Sequence, residues 1–249
     1  RAGGAEGGGR ADARTLVLAP PTVLRCSDAT YEQDPWYGGL ERSLPTFGDA
    51  DLLARHSAAL SASLVRAEAR LLAAGCCVHP GAGHTSCWRG STNKARALWR
   101  TAAAVIQWLW ELPGAERVAR LFVTVDRQGA RRRYAELLRE SFPMTRVDVV
   151  LESGTDSRYV VRAVDSTREM HLRFVERAEG LSFPVALASC LAKYARELSM
   201  SAFNEYFAGL QPDLRPTAGY VQDGRRWIRD ARAALERSRV PTDVLIRER

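Results

Sequence analysis

Lysine is almost missing from this chain. Of 36 basic residues among 249, only Lys94 and Lys193 are lysines, so 36 − 2 = 34 are arginines. With alanine also abundant, this points to GC-rich coding, so an excess of arginine carries no functional information by itself. A lysine retained against that bias draws attention for its compact ammonium, which meets phosphate as a point charge rather than as a planar fork. Also lacking is any apolar run near the length of a membrane span, which excludes a helical membrane anchor within this sequence. No secretory signal precedes the five cysteines, whose number is odd and two of which are adjacent (Cys76, Cys77), so reduced thiols in a cytoplasm are expected. Internal repeats are absent, and the only biased segment is RAGGAEGGGRADAR, residues 1–14, which reads as a flexible leader. Residue 1 is Arg rather than Met, and an N-terminal truncation is expected.

What is present is a globular composition with a formal net charge of +7 and a pI near 9.5. Such a balance favours a polyanionic partner, and a solvated basic surface is the alternative. The length suits one sizeable α/β domain or two small ones.

Along the chain, TLVLAPPTVLRC (15–26) offers two β-like runs broken by Pro20-Pro21, read as edge strands or one bent strand. Residues 27–48 form an extended loop in which Trp36 and Tyr37 are packing residues, with base stacking as the alternative. The spacing predicts a helix over 49–75, with Asp49 and Asp51 at its start and Gly75 at its end. CCVHPGAGHTSC (76–87) collects three thiols and two imidazoles, His79 and His84. The spacing matches no paired-ligand pattern, so a loop is expected and a structural zinc is the alternative. A second helix is expected from Ser91-Thr92-Asn93 to about Glu111. ARLFVTVD (119–126) then reads as a strand ending on Asp126. A turn and helix follow, and VDVVL (147–151) completes a parallel unit. RYVVRAV and EMHLRFV form an antiparallel meander. Ser182 and Pro184 start the next helix, and a last one is expected from Arg225 to about Arg237.

Within FPVALASCLAKYARELSM (183–200), Leu187, Leu191, Tyr194 and Leu198 make one apolar stripe, expected to be buried. Ser189, Lys193, Arg196 and Met200 make another, either a solvated face or a substrate-facing one. Glu179 closes the strand-like HLRFVERAE just upstream, and Asp126 has the equivalent place in LFVTVD. Open α/β sheets gather functional groups beyond the carboxyl ends of their strands, so these acids could converge; two ordinary loop carboxylates are the alternative. Paired acids without histidine suit Mg²⁺ or Mn²⁺, hard cations that prefer oxygen ligands and can activate water against a phosphodiester.

The stretch ALASCLAKYARELSM resembles the helix of ribonuclease HII, the type 2 ribonuclease H family, whose pattern is approximately A-A-S-I-L-A-K-V-x-R-D-x-x-M. Ala188, Ser189, Leu191, Ala192, Lys193, Arg196 and Met200 match, and Glu197 replaces the aspartate. Arg177-Ala178-Glu179 stands where that family has K-A-D or G-D before the helix, and Val123-Thr124-Val125-Asp126 matches its V-x-V-D strand. The segment STNKARALWR resembles the family's asparagine-initiated helix, and PTAGYVQDG resembles its K-G-Y-G segment through Gly219 and Tyr220. The similarity extends over roughly residues 91–230. Two departures stand out. More chain separates Asp126 from Glu179 than is usual, and nothing in residues 1–48 matches the first motif, G-I-D-E-A-G-R-G-P, since Asp28, Glu32 and Asp34 have another context.

The resemblance implies a ribonuclease H-like α/β fold, a central mixed sheet flanked by helices with the N-terminal strand missing. It would occupy residues 15–249 as a single domain with a C-terminal helical segment from about 203. It implies endonucleolytic cleavage of the RNA strand of RNA–DNA hybrids, or of a ribonucleotide-containing duplex, leaving a 3′-hydroxyl. Asp126 and Glu179 would be metal ligands for Mg²⁺ or Mn²⁺, and Lys193 would join them as a catalytic group. Ser189, Lys193, Arg196, Tyr220 and Asn93 would contact substrate, with Tyr220 beside the ribonucleotide whose 2′-OH separates RNA from DNA. No obligate protein partner and no membrane are expected. The alternatives are a non-catalytic nucleic-acid-binding module with the same fold and a zinc-supported scaffold around residues 76–87.

Overall fold

The computed structural model describes residues 34–40, 49–69, 71, 73–76, 94–111, 119–241 and 245. The expected leader, the runs of 15–26, most of the loop 27–48, the Cys/His stretch from Cys77 to Cys87 and Asn93 lie outside the described residues. In chain order the described elements are α1 (Ala50–Arg66), α2 (Lys94–Glu111), β1 (Arg120–Asp126), α3 (Ala135–Ser141), β2 (Thr145–Glu152), β3 (Asp156–Ala163), β4 (Glu169–Val175), α4 (Phe183–Leu210), α5 (Val221–Asp230) and α6 (Arg232–Ser238), with 3-10 turns at Pro35–Leu40 and Ala178–Gly180. The chain is α/β, and its described residues form two compact units: a sheet unit within His84–Ala192 and a helical unit from Arg1–Gly83 with Lys193–Arg249.

In the sheet unit the strand order is β1-β4-β3-β2. β1 pairs parallel with β4, and β3 pairs antiparallel with both β4 and β2. Alternation along β1 sends Val123 into the core, with Leu121 and Val125 packed beside it, while Phe122, Thr124 and Asp126 take the other face. The core joins Val123, Tyr159, Val161, Met170, Leu172 and Phe174 to Trp99 and Ile106 of α2 and Leu138 of α3, so helices cover one face of the sheet. At its centre the Tyr134 ring stacks on Phe174 with centroids 3.8 Å apart and planes 7° from parallel. The phenol of Tyr159 accepts the Tyr134 N–H at 2.9 Å and donates to Glu152 Oε1 at 2.6 Å, so no polar group of this buried ring is left unmade.

The expected parallel unit forms, though not as a neighbouring pair. β1 and β2 point the same way but are not neighbours, because β3 and β4 lie between them. The local hairpins decide this. Ser153 Oγ donates to the Asp156 carbonyl at 2.7 Å and accepts the Asp156 N–H at 3.0 Å, fixing the β2–β3 turn, so β2, β3 and β4 fold as the meander and β4 takes the place beside β1.

In the helical unit α1 starts as expected, with the Asp49 carboxylate accepting the N–H groups of Asp51 and Leu52. It ends at Arg66, not at Gly75. Glu68 adopts φ 51°, its N–H reaches the Val65 carbonyl, and the Ala69 N–H reaches Leu64, which is a Schellman closure with glutamate in the place usual for glycine. The last helix also departs from expectation, beginning at Val221 and breaking at Ala231 into α5 and α6. Gln211 explains the break: its side chain donates to the Asp230 carbonyl at 3.0 Å and accepts the Ala234 N–H at 3.2 Å, satisfying groups that a continuous helix would pair internally.

Trp36 and Tyr37 pack in this unit's core with Leu198, Ala202, Phe207, Leu214 and Trp227, as their packing role required. Along α4 the buried residues are Ala195, Leu198, Ala202 and Phe207. Of the expected stripe only Leu198 is buried; Leu187, Leu191 and Tyr194 are half-buried. The deeply packed positions thus lie further along the helix, where the aromatic side chains of Phe203 and Phe207 meet Trp36 and Trp227. No helix among the described residues is long and apolar enough to cross a membrane.

Candidate active site

Asp126 closes β1 opposite Val175, the last residue of β4. Beyond Val175 the chain turns through Arg177, which adopts φ 54° in the left-handed region, and enters the 3-10 turn carrying Glu179. Few residues other than glycine take that conformation without strain, so a specific interaction is needed to hold it. Asp126 supplies one: its Oδ1 accepts the N–H of Ala178 at 3.1 Å. Ala178 is fully buried, and its two neighbours, Arg177 and Glu179, are exposed. Asp126 is therefore bonded to the residue before Glu179, while Glu179 itself lies four residues past the end of β4, in the 3-10 turn rather than closing a strand as expected.

The strand end is braced by Arg127, whose guanidinium bonds the Gly154 carbonyl and the Glu176 carboxylate, while the Glu176 N–H reaches the Thr155 carbonyl at 3.1 Å. On the same sheet face as Asp126, the Arg158 and then the Arg173 guanidinium hold the Asp156 carboxyl at about 2, against the desolvation that opposes them. Asp156 is thus committed to structure, whereas the second oxygen of Asp126 has no hydrogen bond among the described residues.

The remaining candidates lie on α4 and after it. Ser189 is exposed on the part of α4 belonging to the sheet unit. Lys193, also exposed, and Arg196 follow within the helical unit, one turn apart. Arg196 lies over the Tyr220 ring, 4.8 Å from its centroid, donates to Glu197 Oε1 at 2.8 Å and bonds the Ala218 carbonyl. Tyr220 itself is exposed, so its free ring face and hydroxyl can meet a ligand. The structure thus ties Asp126 to the turn that carries Glu179, and sets Arg196 against Tyr220.

Two residues that hold the segment before Tyr220 in place, Asn204 and Asp223, escaped the pattern in the sequence. Asn204 of α4 donates to the Thr217 carbonyl and accepts the Thr217 N–H, both at 2.9 Å. Asp223 accepts the Thr217 hydroxyl and the Ala218 N–H, each at 2.7 Å, and pairs with Arg226. The Thr217 hydroxyl first, then Arg226 and the Ala218 amide, bring the Asp223 carboxyl down to about 2. Gly219 has φ +74°, and a Cβ there would stand 3.3 Å from Met200 Sδ. Asp223 lies inside PTAGYVQDG and could have been noticed as a helix-start acid; Asn204 carries no signal of its role in mid-helix.

A hard divalent cation fits the carboxylate pair in kind, since both donors are oxygen. In number two carboxylates are too few for two ions, and among the described residues there is no group of three or more His, Cys, Asp or Glu side chains that could hold a metal ion. Set against known protein families, curated proteins and solved structures, the chain matches none.

Proposed function

We propose that the chain is a divergent member of the ribonuclease HII family, with a ribonuclease H-like fold. Its activity is endonucleolytic hydrolysis of the RNA strand of an RNA–DNA hybrid, or of a ribonucleotide-containing duplex, dependent on Mg²⁺ or Mn²⁺. The observation that supports this proposal is the bond from Ala178 N–H to Asp126 Oδ1, which ties the last residue of β1 to the turn that follows the neighbouring parallel strand β4 and carries Glu179.

Asp126 and Glu179 are the residues that would hold the ion. When bound, it would lower the pKa of a coordinated water and offset charge on the phosphodiester. Two-ion chemistry requires oxygen ligands beyond these two. Ser189, Lys193, Arg196 and Asn93 would be the substrate contacts, Lys193 through its ammonium; Ser189 and Lys193 are exposed, and Asn93 lies outside the described residues. Tyr220 stacks beside the ribonucleotide, its ring backed by the Arg196 guanidinium. A net charge of +7 supports a polyanionic substrate. The thiols, including exposed Cys190, suit a cytoplasm.

A second reading, a hybrid-binding module without hydrolysis, is favoured by the shortage of carboxylates among the described residues. Incubating the full chain with an end-labelled RNA–DNA hybrid and Mn²⁺ separates the two. Hydrolysis yields fragments ending in 3′-hydroxyl that disappear with Asp126→Asn and with Glu179→Gln. Salt-sensitive hybrid binding without fragments under any ion selects the binding module.

A further inference from the structure

We infer that the sheet face opposite α2 and α3 carries a second binding site, a stacking platform for single-stranded nucleic acid built on Phe122 and His171. It rests on the nucleic-acid partner of the proposed function but not on the hydrolytic step. Strand pairing puts Phe122 directly across from His171, and their rings stack with centroids 4.9 Å apart and planes 26° from parallel. Phe122 is nevertheless 73% exposed. A phenyl ring on the charged side of an edge strand, with an imidazole behind it and solvent in front, is a preformed surface for a base.

The charges around it fit an anionic chain. Across this face Glu169 is shared by Arg162 at 2.8 Å, His171 at 3.1 Å and Arg120 at 3.8 Å. Asp148 is shared by Arg146 at 2.9 Å and Arg162, and Asp156 by Arg158 at 2.6 Å and Arg173 at 2.8 Å. Five arginines thus surround these three shared carboxylates, and with Asp126 on the same face counted the excess is 5 − 4 = 1 positive charge. Each carboxylate is divided among several cations, which pins the guanidiniums as a fixed array without neutralising it. Arg120 is the most open of those nearest the platform, its side chain 69% exposed.

An unpaired strand is the occupant this chemistry selects. Stacking on Phe122 needs a base with a free π-face, which a duplex keeps inside its own stack, and the arginine array then tracks the phosphates. Asp126 lies on the same face four residues further along β1, about 13 Å away at strand rise. A strand lying on the platform can therefore lead towards the sheet end that holds the acids.

The test is fluorescence anisotropy of the full chain with a labelled twelve-residue oligo-uridine, alongside a blunt RNA–DNA hybrid, at several salt concentrations. Phe122→Ala is expected to weaken single-strand binding about tenfold, the loss of one base–aromatic stack, without changing the salt slope. Phe122→Trp should restore it. Arg120→Gln should flatten the slope by about 0.7, one phosphate contact on a single strand. Phe122 is exposed, so these variants fold. Four results overturn the inference: wild-type chain that does not bind the oligonucleotide; Phe122→Ala binding within twofold of wild type; equal weakening on the blunt hybrid; or a wild-type dimer that Phe122→Ala dissociates. None of these bears on whether Asp126→Asn abolishes hybrid cleavage, so the hydrolytic proposal stands or falls separately.

Discussion

The carboxylate of Asp126 is hydrogen-bonded to the backbone N–H of Ala178, 52 residues further along the chain. One side chain therefore has two tasks: it anchors the strained turn at Arg177, and it presents an oxygen at the sheet end where Glu179 emerges.

Those tasks separate by substitution. Asp126→Asn keeps the Oδ1 acceptor, so its urea midpoint should stay near that of the wild type. Asp126→Ala removes the acceptor from an N–H on a fully buried residue and should cost about 1–2 kcal/mol. Urea denaturation of both variants checks this. Equal loss in both would mean that charge rather than the hydrogen bond holds the turn.

Asp223 gives a pH dependence whose sign is set by its partners. Its folded pKa, about 2, lies below the ordinary carboxylate value because the Thr217 hydroxyl, Arg226 and the Ala218 amide favour the ionised form. Its stabilisation is therefore complete above about pH 5, where the unfolded carboxylate is ionised, and is lost as pH falls towards 2. Asp223→Asn should flatten the acid limb of the stability curve followed by fluorescence of Trp227, which is buried in the same helix. An unchanged acid limb would remove Asp223 from this role.

Gly219→Ala tests the seat of Tyr220. At φ +74° an alanine costs about 1–2 kcal/mol, and its Cβ would press on the flexible Met200 thioether. Thermal unfolding should register the loss, and Met200→Ala in the same chain should recover only a small part, since the backbone strain remains. Hybrid binding should fall in parallel as Tyr220 shifts; full recovery by Met200→Ala would show that crowding alone was at issue.

How much of this was legible in the sequence depended on the range of the interaction responsible. β1 and its terminal Asp126 stood out because alternation of β-branched residues is local, and Asp49 because a cap acts within three residues. The end of α1 was hidden because Glu68 performs what glycine usually does. The break at Ala231 was hidden because Gln211, twenty residues earlier, supplies the hydrogen bonds. That β4 and β3 lie between β1 and β2 was not legible, because strand neighbours are chosen by pairings that no window of sequence contains. Asp126 was legible because it closes a strand, whereas Glu179, expected to close one, sits in the turn after β4; the Asn204–Thr217 lock, which positions Tyr220, left no trace in composition or spacing.

The central claim is that Asp126 and Glu179 act as one pair on one cation, and Mn²⁺ binding to the full chain, followed by electron paramagnetic resonance of the free ion, tests it most directly. The account predicts that Asp126→Asn and Glu179→Gln each weaken binding about tenfold or more, with the double variant little worse than either alone. Binding that neither substitution alters, or effects of the two that simply add, would contradict it.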